Sequence, residues 1–274
     1  MMELALPDTP HPLPWQEAPA AVLAGLRGVL TDIDDTLTRE GRIEPQALEA
    51  IGRLHAAGWP VIAVTGRPAG WSEPGLRSWP VAAIVAENGG VLLRRQGRST
   101  VTYQYTVDDR QRAERFARLQ ACATQVLQQV PHARLALDSP GRHTDIAIDH
   151  SEHHHLDRAG QEAVLAVMRS HGLTATVSSI HINGWLGEHD KWSGAQWAVQ
   201  AVLNRPLEPG RWIYVGDSTN DEVMFRRLPA SVGVANIAAS LPLLRHRPAW
   251  ITQAERGGGF AEVAERLLRA RTAG

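Results

Sequence analysis

The sequence predicts an α/β fold, a parallel sheet covered by helices on both faces, with an α+β region inserted into it. Three observations lead there. Continuous apolar runs alternate with segments of helical spacing, the pattern of strands buried on both faces. Those runs end in polar and acidic residues. A stretch in the middle of the chain shows turn-flanked and alternating patterns instead.

Each element follows in order. Residues 1–25 carry five prolines by Pro19 and read as a Pro-rich arm. Gly28-Val29-Leu30-Thr31 is a buried strand that ends at Asp32. Pro45 to Ala57 has helical spacing, with Leu48, Ile51 and Leu54 apolar and Gly58 as a stop. Val61-Ile62-Ala63-Val64 is the next strand, ending at Thr65-Gly66. Ala82 to Ala86 is a third, ending at Glu87-Asn88-Gly89-Gly90. Trp212-Ile213-Tyr214-Val215 runs into Gly216-Asp217.

The middle region begins with a predicted hairpin, Val91–Arg95 and Val101–Thr106 about Gln96-Gly97-Arg98. Arg110 to Val130 and Leu156 to His171 have helical patterns. Leu135 to Leu137, Asp145 to Asp149 and Ala175 to Ile182 read as strands. The expected organisation is therefore an arm at 1–25, a core at 26–90 and 185–274, and an α/β cap domain at 91–184.

Composition narrows the function. The chain has 274 residues, 43% hydrophobic and 21% charged, which is globular rather than disordered composition. Lys+Arg is 28 and Asp+Glu 29, so no basic excess points to nucleic acid. No apolar run approaches the ~18 residues of a membrane span. Cys122 is the single cysteine, which rules out an intrachain disulfide and a multi-Cys zinc site. The first residues lack a basic segment followed by an apolar one. The expectation is a cytoplasmic enzyme or binding protein, with its oligomeric state unreadable.

Acidic and polar residues gather where the core strands end, the edge at which open α/β sheets bind ligands. Asp32 and Asp34 stand two apart, so extended backbone points both carboxylates one way. Such a pair can divide labour between nucleophile and proton donor. Asp217 and Asp221 add carboxylates from another strand end, and that many acids call for a cation. All-oxygen ligation suits Mg²⁺. Lys191 offers fixed positive charge. Thr65 offers a hydroxyl, and the Thr65-Gly66 turn a backbone N–H, for phosphoryl oxygens. The combination reads as metal-assisted phosphoryl transfer through an aspartyl-phosphate.

Asp32-Ile33-Asp34-Asp35-Thr36, Val64-Thr65-Gly66-Arg67, Lys191 and Gly216-Asp217-Ser218-Thr219-Asn220-Asp221 resemble, in order, the four motifs of the haloacid dehalogenase-like superfamily. Glu87-Asn88-Gly89-Gly90 and Gly257-Gly258-Gly259-Phe260 are similar to its Cof-type branch, subfamily IIB, as is the position of the insertion. The resemblance spans about residues 28–270. It implies a Rossmann-like core with a cap, and a Mg²⁺-dependent phosphatase acting on small phosphorylated metabolites, sugar phosphates first. The branch includes sucrose-phosphate, trehalose-phosphate and mannosylphosphoglycerate phosphatases. By resemblance, Asp32 is the nucleophile and Asp34 the general acid/base. Thr65, Gly66 and Lys191 bind the phosphoryl group, with Asn88 and Asn220 as helpers. The metal falls to Asp32, the Asp34 main-chain carbonyl and Asp217, with Asp221 in support. The cap is expected to close over the site and select the leaving group. A phosphomutase similar to phosphomannomutase, and a non-catalytic phosphometabolite sensor, are the competing readings.

Other residues have plainer readings. His153-His154-His155 point in different directions and read as a solvated turn rather than a metal site. Trp185, Trp192 and Trp197 fit either a sugar pocket or the core. Arg67 follows the phosphate turn and is a substrate candidate. Arg142, His143, Asp145, His181 and Asn183 fall in the insertion. Arg142, His181 and Asn183 are further substrate candidates, although solvent exposure is the expectation for each taken singly.

Overall fold

The computed structural model describes residues 11–97 and 100–272. The chain divides into two compact units, one of residues 1–64, 79–83 and 195–274, the other of 65–78 and 84–194. Residues 91–184, the expected cap, all lie in the second unit. That unit also takes in 65–78, 84–90 and 185–194.

The first unit is built on parallel strands. Their order is Leu13–Pro14, Trp250–Ile251, Ala230–Gly233, Trp212–Gly216, Gly28–Thr31, Val61–Val64, and every neighbouring pair runs parallel. The central strands are buried along their whole length, as continuous apolar runs require when helices cover both faces. The helices Pro45–Ala56 and Arg256–Thr272 pack on each other. They bury Ala47, Ile51 and Leu54 from one and Phe260, Val263 and Leu267 from the other. Leu48, expected on the buried face, is exposed instead. The face turns one residue back, so that Ala47 and Ala50 point inward.

Residues 1–10 of the expected arm lie outside the described residues. Its remainder is built into the unit: Leu13 donates its N–H to Ala249, and the Trp15 indole donates to the Glu262 carbonyl at 3.2 Å.

The second unit holds the antiparallel hairpin Val91–Gln96 and Thr100–Tyr105. It also holds a four-stranded sheet in the order Thr174–Val177, His181–Trp185, Asp145–Asp149, Arg134–Leu135. The helices Asp109–Gln129 and Arg158–Ser170 bury Leu119, Cys122, Val126, Val164 and Met168 against Ile146, Ile148 and Ile182. Strand alternation then sends Asp145, Asp149, His181 and Asn183 to the opposite face of that sheet. Asp108 and Asp157 cap the two helices, each accepting a backbone N–H at 2.8 Å.

Ala175 to Ile182, expected as one strand, is a tight hairpin of two. The Ser178 hydroxyl accepts the Ile180 and His181 amides, a side-chain turn that needs neither Gly nor Pro. The strand expected at Leu135 to Leu137 stops at Leu135, and Leu137 is exposed. The helix Ala69–Ser78 has no apolar periodicity to announce it.

Candidate active site

The acidic cluster forms in the first unit from strand geometry. Thr31 pairs with Val215 in parallel register, and the Asp32 amide continues the ladder to the Val215 carbonyl at 2.8 Å. The two strands therefore end side by side, and the residues that follow them, Asp32 and Asp217, are neighbours. Asp221 joins through the turn Thr219–Asp221. Asp32, Asp217 and Asp221 each offer one carboxylate oxygen, and these atoms lie within 4.8 Å of one another. All three side chains are buried.

Asp221 is held from both sides. One oxygen accepts the Asp217 and Ser218 amides at 2.9 and 3.0 Å, and the other accepts the Tyr214 hydroxyl. Burial, with Asp221, Asp32 and Asp217 close by, raises the Tyr214 pKa well above its ordinary value, so Tyr214 remains a donor. Asp217 is met by the Thr36 hydroxyl at 3.4 Å and the Asn236 amide at 3.5 Å. Asn220 accepts the Ser218 hydroxyl, and Asp34 is buried in the loop after Asp32. Sequence reasoning missed Asn236 and Arg256. Asn236 donates to the Asp35 carbonyl at 2.9 Å and Arg256 to the Asp35 carboxylate at 2.7 Å, which pins a loop whose Asp35 has φ 54°.

Three buried carboxylates this close repel one another unless positive charge compensates them. The donor set is all oxygen, which fits a hard divalent cation such as Mg²⁺. Among the described residues this is the one group of three His, Cys, Asp or Glu side chains arranged to share an ion. His153, His154 and His155 do not converge.

Thr65, Gly66, Asn88 and Lys191 belong to the second unit. Thr65 donates its N–H to Val85 and accepts the Asn88 amide at its carbonyl, while its hydroxyl accepts the Arg67 amide at 3.0 Å. The Gly66 carbonyl accepts from Arg142 at 3.0 Å and Asn183 at 3.3 Å. Asn88 adopts φ 52°, and its buried amide has no hydrogen-bond partner for either polar atom. Lys191 is buried at the first position of the helix Lys191–Leu203. Gly89, at φ 110°, permits the close approach of that helix start, because a Cβ there would collide with the Asp190 carbonyl.

The four substrate candidates of the insertion and its neighbour, Arg67, Arg142, His181 and Asn183, are 3%, 3%, 1% and 0% exposed. For Arg142, His181 and Asn183 the expectation of solvent exposure is overturned: with Arg67 they face a shared polar interior. Arg142 pairs with Asp145 at 2.9 Å and Asp138 at 3.0 Å. Arg67 pairs with Asp138 at 3.1 Å and Glu152 at 2.5 Å. Asn183 donates to Asp145 at 2.9 Å. Burial pushes the Asp145 carboxyl up to about 7 against the pull of Arg142. Burial would also raise Glu152, but His181 and Arg67 hold it down to about 2.

Asp138, Glu152 and Glu87 were absent from the sequence-based candidates. Glu87, fully buried, accepts the Ala69, His143 and Thr144 amides and the Thr144 hydroxyl. No motif flags Asp138 or Glu152, which stand in turns; Glu87 was visible only as part of Glu87-Asn88-Gly89-Gly90. Trp185, one of the three tryptophans read as pocket or core, is buried and donates to the His189 carbonyl at 2.8 Å; Trp192 and Trp197 are partly buried.

Residues 29–137 match the family model of haloacid dehalogenase-like hydrolases. The fold aligns over 89% of this chain with 98% of a protein from Thermoplasma acidophilum, TM-score 0.66 at 19% identity. Over residues 29–137 this chain is thus similar in sequence to the haloacid dehalogenase-like hydrolases, and its fold is that of the Thermoplasma protein. The chain is also 25% identical over 249 residues to a phosphoglycolate phosphatase of Methanococcoides burtonii, spanning 89% of this chain and 97% of that protein. It has the fold of the sucrose-phosphatase of Synechocystis sp., solved with sucrose and phosphate. That comparison gives a TM-score of 0.64 at 14% identity over 88% of this chain and 97% of the other.

Proposed function

We propose that this protein is a haloacid dehalogenase-like hydrolase, a divalent-metal-dependent phosphatase that cleaves a small phosphorylated metabolite through an aspartyl-phosphate on Asp32. The observation that carries the reading is the buried trio Asp32, Asp217 and Asp221 within 4.8 Å at two adjacent strand ends. The names of the similar proteins, a phosphoglycolate phosphatase and a sucrose-phosphatase, support the same reaction type.

Asp32 and Asp217, with the Asp34 carbonyl, would hold a cation such as Mg²⁺, and Asp221 would support them. The chemistry it supplies is positive charge among carboxylates and beside phosphoryl oxygens. In the first step an Asp32 oxygen attacks phosphorus, and the P–O bond to the leaving group breaks. Asp34 gives its proton to that leaving oxygen. In the second step Asp34 takes a proton from water. The water oxygen bonds to phosphorus, the bond to Asp32 breaks, and inorganic phosphate leaves. By the motif resemblance, Thr65, Gly66 and Lys191 bind the phosphoryl group.

Arg67 and Arg142 are each already paired with two carboxylates. That pairing favours a neutral, hydroxyl-bearing leaving group such as a sugar over one carrying a carboxylate. Residues 91–184 take the role of cap in this reading.

The test is phosphate release from a panel of sugar phosphates and 2-phosphoglycolate, with Mg²⁺ and with EDTA. Metal-dependent release, greatest on a sugar phosphate, is expected. Isomerisation dependent on a sugar bisphosphate, without net release, would replace this reading with a mutase. Tight binding without turnover would replace it with a sensor.

A further inference from the structure

We infer that Asp138 is a positioning residue, the closing member of a ring of part-buried charged contacts that holds the Thr65-Gly66-Arg67 turn in shape. The inference rests on the phosphatase reading, in which that turn receives the phosphoryl group.

The ring can be followed atom by atom. Asp138 Oδ1 meets Arg142 at 3.0 Å, and Oδ2 meets Arg67 at 3.1 Å. Arg67 continues to Glu152 at 2.5 Å. Glu152 lies 2.9 Å from His181 Nε2. His181 Nδ1 returns to Arg142 at 3.4 Å.

Two features tie the ring to the turn. Arg67 is itself a residue of the turn, and Arg142 donates to the Gly66 carbonyl at 3.0 Å. Arg142 is in turn presented from a fixed backbone, because Glu87 accepts the next two amides, His143 and Thr144. The direction of the Gly66 carbonyl sets the plane of the peptide that joins it to the Arg67 amide. That amide donates to the Thr65 hydroxyl. The ring thus acts on the group that would touch phosphate without touching phosphate itself.

Asp138 is the member on which the rest depends. Arg67 and Arg142 are both buried, and both pair with Asp138. Two buried cations turned toward one acceptor stay there only while it is charged. With a neutral amide in its place, each arginine loses one charged partner, and the Arg142 bond to the Gly66 carbonyl, made beside that of Asn183, weakens.

The experiment compares wild type, Asp138→Asn and Asp138→Glu. Its readouts are KM, kcat, inhibition by inorganic phosphate, Mg²⁺ half-saturation, and amide hydrogen exchange of the peptide spanning 65–67. For Asp138→Asn, KM and the phosphate inhibition constant are expected to rise about tenfold, the size of one lost charge-assisted contact. Mg²⁺ half-saturation stays unchanged, exchange at 65–67 quickens, and Asp138→Glu recovers part of each. If Asp138→Asn does not fold, Glu152→Gln opens the ring on the other side of Arg67 and carries the same expectation. Wild-type KM, phosphate inhibition and exchange in the folded variants would overturn the inference. A wild-type protein that releases no phosphate contradicts the phosphatase reading alone, and the exchange at 65–67 still decides the ring.

Discussion

The Asp221 carboxylate holds the Asp217 backbone, taking the Asp217 amide N–H at 2.9 Å while its other oxygen takes the Tyr214 hydroxyl. Asp221 therefore orients Asp217 as much as it adds charge. Second partners of this kind typically change metal affinity by about 10- to 100-fold. Asp221→Asn is expected to weaken Mg²⁺ binding within that range, and Asp217→Asn to weaken it more. Calorimetric titration with Mg²⁺ on both variants checks the order; a reversed order contradicts it.

Asp34 differs from these because its side chain is assigned proton transfer and only its main chain is assigned to the metal. Asp34→Asn removes the proton donor and keeps the carbonyl. Phosphate release is expected to fall by about 10²- to 10⁴-fold, the usual scale of general acid–base catalysis, with Mg²⁺ affinity near wild type. A variant that loses metal binding together with activity would assign the side chain to the ion instead.

His189 stacks on Trp185 with ring centroids 5.7 Å apart. Burial, with Arg115 adding to it, lowers its pKa to about 4. The unfolded chain takes up this proton near pH 6.5 and the folded one only near pH 4. The neutral imidazole thus stabilises the fold above about pH 6.5, and that stability is lost as pH falls toward 4. Between pH 7.5 and 5 the linkage amounts to about 2 kcal/mol. Asp145, raised to about 7, works in the opposite sense over the same window. Wild type therefore has to be compared with His189→Gln. Urea unfolding at the two pH values should show wild type losing about 2 kcal/mol more than the variant; equal losses would contradict the assignment.

Gly89 combines φ 110° with a backbone carbonyl at the place a Cβ would occupy. Gly89→Ala must either strain the turn or push the start of the Lys191 helix away. A loss of about 3 kcal/mol is expected from strain and overpacking together. Phosphate release should fall with it. Thermal unfolding and turnover measured on one preparation check this, and a variant with wild-type melting would contradict it.

Much of the core was legible because buried parallel strands are written as continuous apolar runs. Val61–Val64 begins and ends where the sequence places it, and Gly28–Thr31 and Trp212–Gly216 deviate by a residue at most. Asp32 and Asp217 were legible because they follow those runs directly, and Asp221 because it stands in the turn after Asp217. The helix Ala69–Ser78 was not, since Gly70, Ser72, Pro74 and Gly75 are poor helix formers. What holds its first turn is Glu87, eighteen residues away. The Ser178 turn hides for a related reason, as a serine hydroxyl does the work usually marked by Gly or Asn. Arg67, Arg142, His181 and Asn183 could be named singly. Their burial could not be read, because it depends on Asp138 and Glu152, carboxylates in turns with no periodicity or motif of their own. The pairing of Leu13–Pro14 with Trp250–Ile251 joins two-residue strands from opposite ends of the chain, too short for any pattern.

Asp32 carrying the phosphoryl group is the central step of the proposed reaction. The most direct test is mass spectrometry of enzyme quenched in acid during turnover of its best phosphorylated substrate with Mg²⁺, for wild type and Asp32→Asn. A phosphoryl group is expected on the wild-type peptide that contains Asp32, and neither label nor phosphate release from Asp32→Asn. Turnover with no phosphoryl group at Asp32, or release by Asp32→Asn at the wild-type rate, would contradict it.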